Sequence, residues 1–140
     1  MRKTLLSKTS KTKGANYYRA KCVELAKMIA KHRDGYKCQK CGNSAAQGFQ
    51  IHASHIKAEG KNHSMSADID NIMALCAYCH KWWWHEEPTE SGIWLKEKYP
   101  KLAQELMIRQ MTTKHMGKFE WQKKLEELKE HEKPEWGKGR

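Results

Sequence analysis

Four of the five cysteines form two Cys-x2-Cys pairs, Cys38 with Cys41 and Cys76 with Cys79, with 34 residues between the pairs. Each pair can supply two thiolates to one tetrahedral Zn2+, at Zn–S distances near ~2.3 Å. Such an ion would close a long loop and stabilise a chain whose core is small. A redox dithiol is the alternative, but it normally follows a strand in a thioredoxin-like pattern that this sequence lacks. The spacing therefore predicts a structural zinc site with all four positions filled.

The segment between the two pairs carries polar residues of the types that occur in catalytic sites. Ser54-His55 precedes Asp70-Asn71, and His80 directly follows the last cysteine. Taken singly, a histidine is more often a core residue, and an asparagine more often caps a turn. In this order, and with the two cysteine pairs, the residues resemble the HNH endonuclease family. More specifically, they are similar to its zinc-stapled members, which are common in bacteriophages and mobile elements.

The resemblance covers about residues 35–87 and implies a ββα-metal (His-Me) finger, in which two strands and a helix clasp one divalent cation. By family position, His55 is the general base that activates water, a task that suits a group with a pKa near neutral. Asn71 would hold the local geometry, either by orienting the His55 ring or by bracing the loop. His80 would bind the cation, Mg2+ or Mn2+, which stabilises the phosphate and the leaving oxygen.

Two positions depart from the family pattern. The family usually has Asp or His directly before the base, as a further metal ligand, whereas this chain has Ser54, and a neutral hydroxyl is a weak ligand for Mg2+ or Mn2+. We assign Ser54 to the metal with His80 on this positional ground alone. Many members also have a histidine one helical turn after His80, where this chain has Trp84. Other residues that could complete the ligand set are His52, His63, His85 and Asp70.

The net charge of +11 is concentrated in residues 1–37, which carry +9. A basic arm on a nearly neutral body favours a polyanionic partner, most simply DNA, although a solubilising tail would have the same composition. The chain has neither a run near the roughly 20 apolar residues of a membrane span nor a signal peptide, so we expect a cytoplasmic protein without a membrane partner. By resemblance it would be phage-encoded and act in the host cytoplasm. The predicted DNA-backbone contacts are Arg2, Lys3, Lys8, Lys11, Lys13, Lys21 and Lys27.

Hydrophobic periodicity indicates the elements that must position these residues. Apolar positions three and four apart predict a helix from Asn16, as its cap, to Arg33. Alternation predicts a strand over residues 49–56, with His55 on one face and His52 and Ser54 on the other. The remaining predicted elements are a strand over 71–75, a helix over 77–87 stopped by Pro88, a short helix capped by Thr89, one opened by Pro100, and one over 118–131.

Trp82, Trp83 and Trp84 follow one another on the predicted helix over 77–87. Three consecutive side chains cannot all face one way on a helix. We therefore expect one or two of the rings to pack into the core and the remaining ring to be exposed.

These observations predict an α+β, mostly helical fold: a small ββα-metal finger with a four-cysteine zinc knot, flanked by an N-terminal helix and C-terminal helices. The expected divisions are a basic flexible arm (1–14), the N-terminal helix (15–34), the HNH zinc-knot nuclease core (35–88), the C-terminal helices (89–133) and a loose tail (134–140). The predicted activity is metal-dependent cleavage of DNA, with a structural Zn2+. Two alternatives stay open: a zinc-stabilised DNA-binding module with a degenerate nuclease site, and a structural zinc protein that binds a protein partner.

Overall fold

The structure, a computed structural model, describes residues 13–57 and 64–131. Its fold confirms the predicted class: the described chain is mostly helical and contains a two-stranded antiparallel sheet. The elements in chain order are α1 (Ala15–Arg33), β1 (Ile51–His55), β2 (Ile72–Cys76), a π-helix (Cys79–Trp84), α2 (Pro88–Lys98), α3 (Pro100–Thr112) and α4 (Lys118–Lys129). None of the helices in these ranges combines the length and the apolar character that crossing a membrane would require.

Helix α1 forms because its apolar residues recur on one stripe. That stripe is buried against one face of the sheet and against α4, where it contacts Trp121 and Leu128. The predicted cap at Asn16 is wrong: the cap position is Gly14, and Asn16 lies inside the first turn. The buried residues of the stripe are Cys22, Leu25, Ala26, Ile29 and Ala30.

The end of α1 is tied to the sheet by an ion pair that the sequence did not reveal. The Arg33 guanidinium donates to both carboxylate oxygens of Asp34 at 2.9 and 3.0 Å, and also to the Ile72 carbonyl at 2.6 Å. The Asp34 carboxylate in turn accepts the backbone N–H of Ala74 at 2.9 Å. The buried carboxylate is thus satisfied, and β2 is fixed against the helix.

The two strands pair in antiparallel register, from Ile51 opposite Cys76 to His55 opposite Ile72. Paired residues share a face, so Ala53, His55 and Ile72 lie on the side of α1, and Ala53 and Ile72 belong to its core. The opposite face carries His52 and Ser54, and their partners on β2 pack into a second core with the π-helix and α2. All of β2 is buried, as expected for a strand covered on both faces.

The segment after Cys76 differs from the predicted α-helix. Residues Cys79–Trp84 form a π-helix, and the backbone N–H of His85 donates to the carbonyl of His80, five residues earlier, at 3.3 Å. Pro88 opens α2 at its first position rather than ending the preceding helix, and Glu87 instead of Thr89 lies at the cap. This early break lets the following helix fold back on the second core.

The tryptophans divide as expected. Trp83 and Trp84 are half-buried in the second core, and the Trp83 ring meets Trp94 of α2 edge to face with centroids 5.1 Å apart. Trp82 is 62% exposed. Helices α2 and α3 join this core through Leu95, Tyr99 and Ala103, so the C-terminal helices hold the π-helix from outside.

Candidate metal centres and active site

The thiol sulfurs of Cys38, Cys41, Cys76 and Cys79 all lie within 4.8 Å of one another. The Cys41 and Cys76 sulfurs are 3.7 Å apart, close to the ~3.8 Å expected between two sulfurs of a tetrahedron with ~2.3 Å Zn–S bonds. The cluster joins the loop after α1 to the end of β2 and the start of the π-helix. Its spacing and donor chemistry fit a zinc ion.

Backbone groups turn toward two of the thiols in the same way. The Cys41 N–H points at the Cys38 sulfur at 3.5 Å, and the Cys79 N–H points at the Cys76 sulfur at 3.4 Å. Gly42 supports the first turn with φ +83°, a conformation that few other residues adopt without strain. Both pairs therefore present the compact turns that thiolate ligands need.

Three of the cluster thiols have shifted pKa values, and burial raises that of Cys41. Burial tends to raise the pKa of Cys38, but backbone N–H groups from Cys41, Cys76 and Lys40 outweigh it and bring this pKa down to about 7. Burial raises the pKa of Cys79, and the neighbouring thiols raise it further. A cation would relieve this crowding, because metal-bound cysteines are deprotonated.

His55 is half-buried at the end of β1, and its ring has a defined partner. Its Nε2 atom lies 2.8 Å from the carbonyl oxygen of Ser66. A carbonyl only accepts hydrogen bonds, so we assign the proton of neutral His55 to Nε2, which leaves the lone pair on Nδ1. The backbone carbonyl of His55 accepts the indole N–H of Trp84 at 3.1 Å, which ties the strand end to the π-helix.

Asn71 links Lys57 to Met65, the residue before Ser66. The residue is fully buried in the short turn just before β2. Its Oδ1 accepts the Lys57 N–H at 2.8 Å, and its Nδ2 donates to the carbonyls of Lys57 and Met65, both at 3.1 Å. Of the two roles expected for Asn71, these contacts correspond to bracing the loop. Its link to His55 is indirect, because Met65 adjoins the residue that holds the His55 ring.

His80 lies between two other histidine rings. Its Nδ1 is 2.9 Å from Nδ1 of His52, and its Nε2 is 2.9 Å from Nε2 of His85. Burial lowers the pKa of His80 to about 4, and repulsion by His85, His52, Lys27 and Lys81 adds to the shift. His80 is therefore neutral near pH 7, as a metal ligand must be.

The other candidate ligands are positioned differently. Ser54 is 1% exposed, and its hydroxyl has no hydrogen-bond partner among the described residues. The Asp70 carboxylate is paired with Arg109 at 3.0 Å, and His63 lies outside the described ranges. The Trp84 ring is packed in the second core. Sequence reasoning kept His52 and His85 only as unranked alternatives, although strand alternation already put His52 on the face of Ser54.

The predicted DNA-contacting residues fall into three groups. Arg2, Lys3, Lys8 and Lys11 lie outside the described residues. Lys13 and Lys21 both approach the ring of Tyr17, at 5.1 and 5.7 Å from its centroid. Lys27 differs from these, because its charge acts on His80. Of the three predicted contacts that lie within the described ranges, Lys27 is thus the one whose charge acts on the histidine cluster.

One comparison with known proteins gives a match. Residues 38–82 match the family model described as HNH endonuclease. The matched range includes the four clustered cysteines and also His55, Asn71 and His80. No curated protein and no solved structure matches the chain.

Proposed function

Because residues 38–82 form a domain of the HNH endonuclease family, we propose that the protein cleaves DNA in a reaction that depends on a divalent cation. His55 is the general base, His80 binds the cation, and Asn71 is a positioning residue. The observation that carries the proposal is the His55 ring, whose Nε2 is engaged by the Ser66 carbonyl at 2.8 Å while Nδ1 keeps its lone pair. The HNH assignment confirms the family predicted from the sequence, while the phage-type subgroup stays a prediction.

The reaction needs a base that takes one proton from water. His55 Nδ1 accepts this proton as the water oxygen attacks phosphorus and the bond from phosphorus to the 3′ oxygen breaks. The leaving 3′ oxygen takes its proton from solvent water. The imidazolium that forms keeps its Nε2–H on the Ser66 carbonyl, which stabilises the new positive charge. When bound, a divalent cation supplies charge stabilisation at the phosphate and at the leaving oxygen, and Mg2+ or Mn2+ remain the predicted ions.

Asn71 acts through the loop and not on the substrate. Its three hydrogen bonds hold Lys57 and Met65 together, and the residue after Met65 carries the carbonyl that orients His55. A base displaced by even 1 Å loses much of its effect. Asn71 therefore sets the position of the base from a distance.

The four-cysteine site has a separate task. A zinc ion held by four thiolates has no open position for substrate or water, so it is structural. Cys79 directly precedes His80, so a zinc ion there would fix the start of the π-helix and with it the cation ligand.

The charge around His80 favours a phosphate. Lys27 and Lys81 both act on His80, and Lys31 acts with Lys81 on His52. These lysines come from α1 and from the π-helix, so two elements direct positive charge at the same site. The predicted backbone contacts of the N-terminal basic residues would add affinity that falls with salt.

A plasmid-nicking assay tests the proposal. The zinc-loaded full chain is incubated with supercoiled DNA and with Ni2+, with Mn2+, with Mg2+ or with no added cation. No strong chelator is used, because it would also strip zinc. We expect cleavage with an added cation, and a loss of at least ~100-fold in His55→Ala, which should stay folded although it loses the hydrogen bond to the Ser66 carbonyl. His115→Ala, which removes an exposed histidine from the segment before α4, is the matched control.

Two outcomes would contradict the proposal. If His55→Ala cleaved as fast as the wild type, His55 would not be the base. If the wild type bound DNA with a steep salt dependence but did not cleave it with any cation, the DNA-binding module with a degenerate site would be the correct alternative.

A further inference from the structure

We propose that the cation is held by Nδ1 of His52 together with Nδ1 of His80, and that His85 fixes the tautomer of His80. This inference deepens the proposed function. It rests on that function only for the statement that the ion serves catalysis. It replaces Ser54 with a residue two positions earlier on β1. It also assigns a role to the histidine that follows the π-helix.

The spacing of the two rings supports a shared ion. Their Nδ1 atoms are 2.9 Å apart. Two nitrogens that bind one ion at ~2.1 Å and at a right angle are separated by ~3.0 Å. One ring comes from the strand and the other from the helix, so the ion would join the same two kinds of element as in a ββα-metal finger.

The third histidine determines which nitrogen of His80 is free. If the Nε2–H of His80 donates to Nε2 of His85 across their 2.9 Å contact, Nδ1 carries the lone pair and faces His52. Metal-binding histidines commonly donate their second N–H to such a partner, which fixes the ring and raises its basicity. His52 and His80 can then bind the ion, and His85 can accept the His80 N–H, with all three rings in the orientations that the structure shows.

The π-helix explains why His85 can do this. In an α-helix the neighbour of His80 on the next turn would be Trp84, four residues on. Here the backbone bond runs from His85 to His80, five residues apart, and the wider turn brings the two imidazoles together. Trp84 is left to donate its indole N–H to the His55 carbonyl at 3.1 Å. The extra residue in the turn thus supplies a histidine where the family pattern has one and this sequence has tryptophan.

Ser54 is poorly suited to the ligand role. It shares the strand face of His52, but its side chain is short, 1% exposed and buried beside Met73 of the second core. Its neutral hydroxyl is also a weak ligand. The imidazole of His52 instead reaches His80 directly.

The chemistry of the ligands indicates the class of ion. Both proposed ligands are imidazoles, which suit Ni2+ and Zn2+, whereas Mg2+ and Mn2+ prefer carboxylate, carbonyl and water oxygens. The site therefore selects an ion such as Ni2+ over Mg2+. Neither the two neutral imidazoles nor the neighbouring lysines Lys27, Lys31 and Lys81 offer a negative charge to the ion. The phosphate of the substrate would supply it.

Calorimetric titration of the tag-free, zinc-loaded chain with Ni2+ tests the assignment. We expect about one Ni2+ per chain beyond the structural zinc, and at least ~100-fold weaker binding after His52→Ala or His80→Ala. His85→Ala should weaken binding by ~10–100-fold. The matched controls Ser54→Ala and His115→Ala should bind as the wild type does. Each variant is checked for retained zinc and for its melting temperature.

Unchanged Ni2+ binding in His52→Ala, or loss of binding in Ser54→Ala, would overturn the ligand assignment. Unchanged binding in His85→Ala would overturn the role of that residue. These failures are distinguishable from failure of the proposed function. A wild type that cleaves DNA while His52→Ala binds Ni2+ normally would refute only the ligands, and a wild type that binds Ni2+ as expected but never cleaves would refute only the activity.

Discussion

Replacing Asn71 with alanine tests whether this residue braces the chain between Lys57 and Met65. The substitution leaves the Lys57 N–H and the carbonyls of Lys57 and Met65 without the partners that now lie at 2.8, 3.1 and 3.1 Å. At about 1 kcal/mol for each lost hydrogen bond, the free energy of unfolding should fall by about 3 kcal/mol. Urea denaturation of the zinc-loaded chain measures this change.

The same variant should lose cleavage while keeping its affinity for Ni2+. The recorded side-chain contacts of Asn71 lie on Lys57 and Met65 and not on the histidine cluster. Asn71→Asp is the sharper variant, since it keeps an acceptor for the Lys57 N–H but turns a carboxylate toward two carbonyl oxygens. Its cost at neutral pH should equal or exceed that of alanine.

Asn16→Ala is the matched control, because it removes the same amide from an exposed position inside α1. There the change should stabilise the helix by up to ~0.5 kcal/mol, since alanine is the better helix former. A loss of less than ~1 kcal/mol in Asn71→Ala, or a loss of Ni2+ binding with stability retained, would refute the bracing argument.

Three further predictions concern the groups around this site. Elemental analysis should find about one Zn2+ per chain, and circular dichroism should show the double Cys38→Ser, Cys41→Ser variant to be unfolded; a folded, zinc-free wild type would contradict this. Ser54→Ala should leave the urea midpoint unchanged or raise stability by up to ~1 kcal/mol, because it removes a buried hydroxyl that has no hydrogen-bond partner among the described residues, and a loss of stability above ~1 kcal/mol would contradict this. Asp34→Ala should cost about 3 kcal/mol in urea denaturation, because it removes the carboxylate that pairs with Arg33 and leaves the Ala74 N–H without its acceptor, and a neutral result would show that the pair contributes little.

Features set by local spacing could be read from the sequence. The two cysteine pairs and the order of His55, Asn71 and His80 indicated the zinc site and the family, because ligand spacing follows from the geometry of the turn that presents it. The apolar stripe of α1 also follows from periodicity alone. The helix caps could not be predicted from the sequence. Gly14 and Glu87 lie at the cap positions, and neither makes the side-chain hydrogen bond that a capping pattern would indicate.

The π-helix could not be predicted, because its hydrogen bonds differ from those of an α-helix by only one residue. Its register is tied to tertiary contacts, chiefly the packing of Trp83 against Trp94 and the bond from Trp84 to the His55 carbonyl. The contact between His52 and His80 also depends on tertiary structure and could not be predicted. Alternation places it on the correct face of β1, but only the position of the helix decides that its ring meets His80.

The two proposed metal sites are coupled through the backbone. His80 directly follows Cys79, and His52 directly follows Ile51, the register partner of Cys76. His80 is thus one residue from a proposed zinc ligand, and His52 is one residue from the strand partner of another. A zinc ion that fixes Cys76 and Cys79 relative to each other therefore also fixes the strand that carries His52 relative to the helix that carries His80. Loss of zinc should abolish cation binding even though zinc shares no ligand with the second ion.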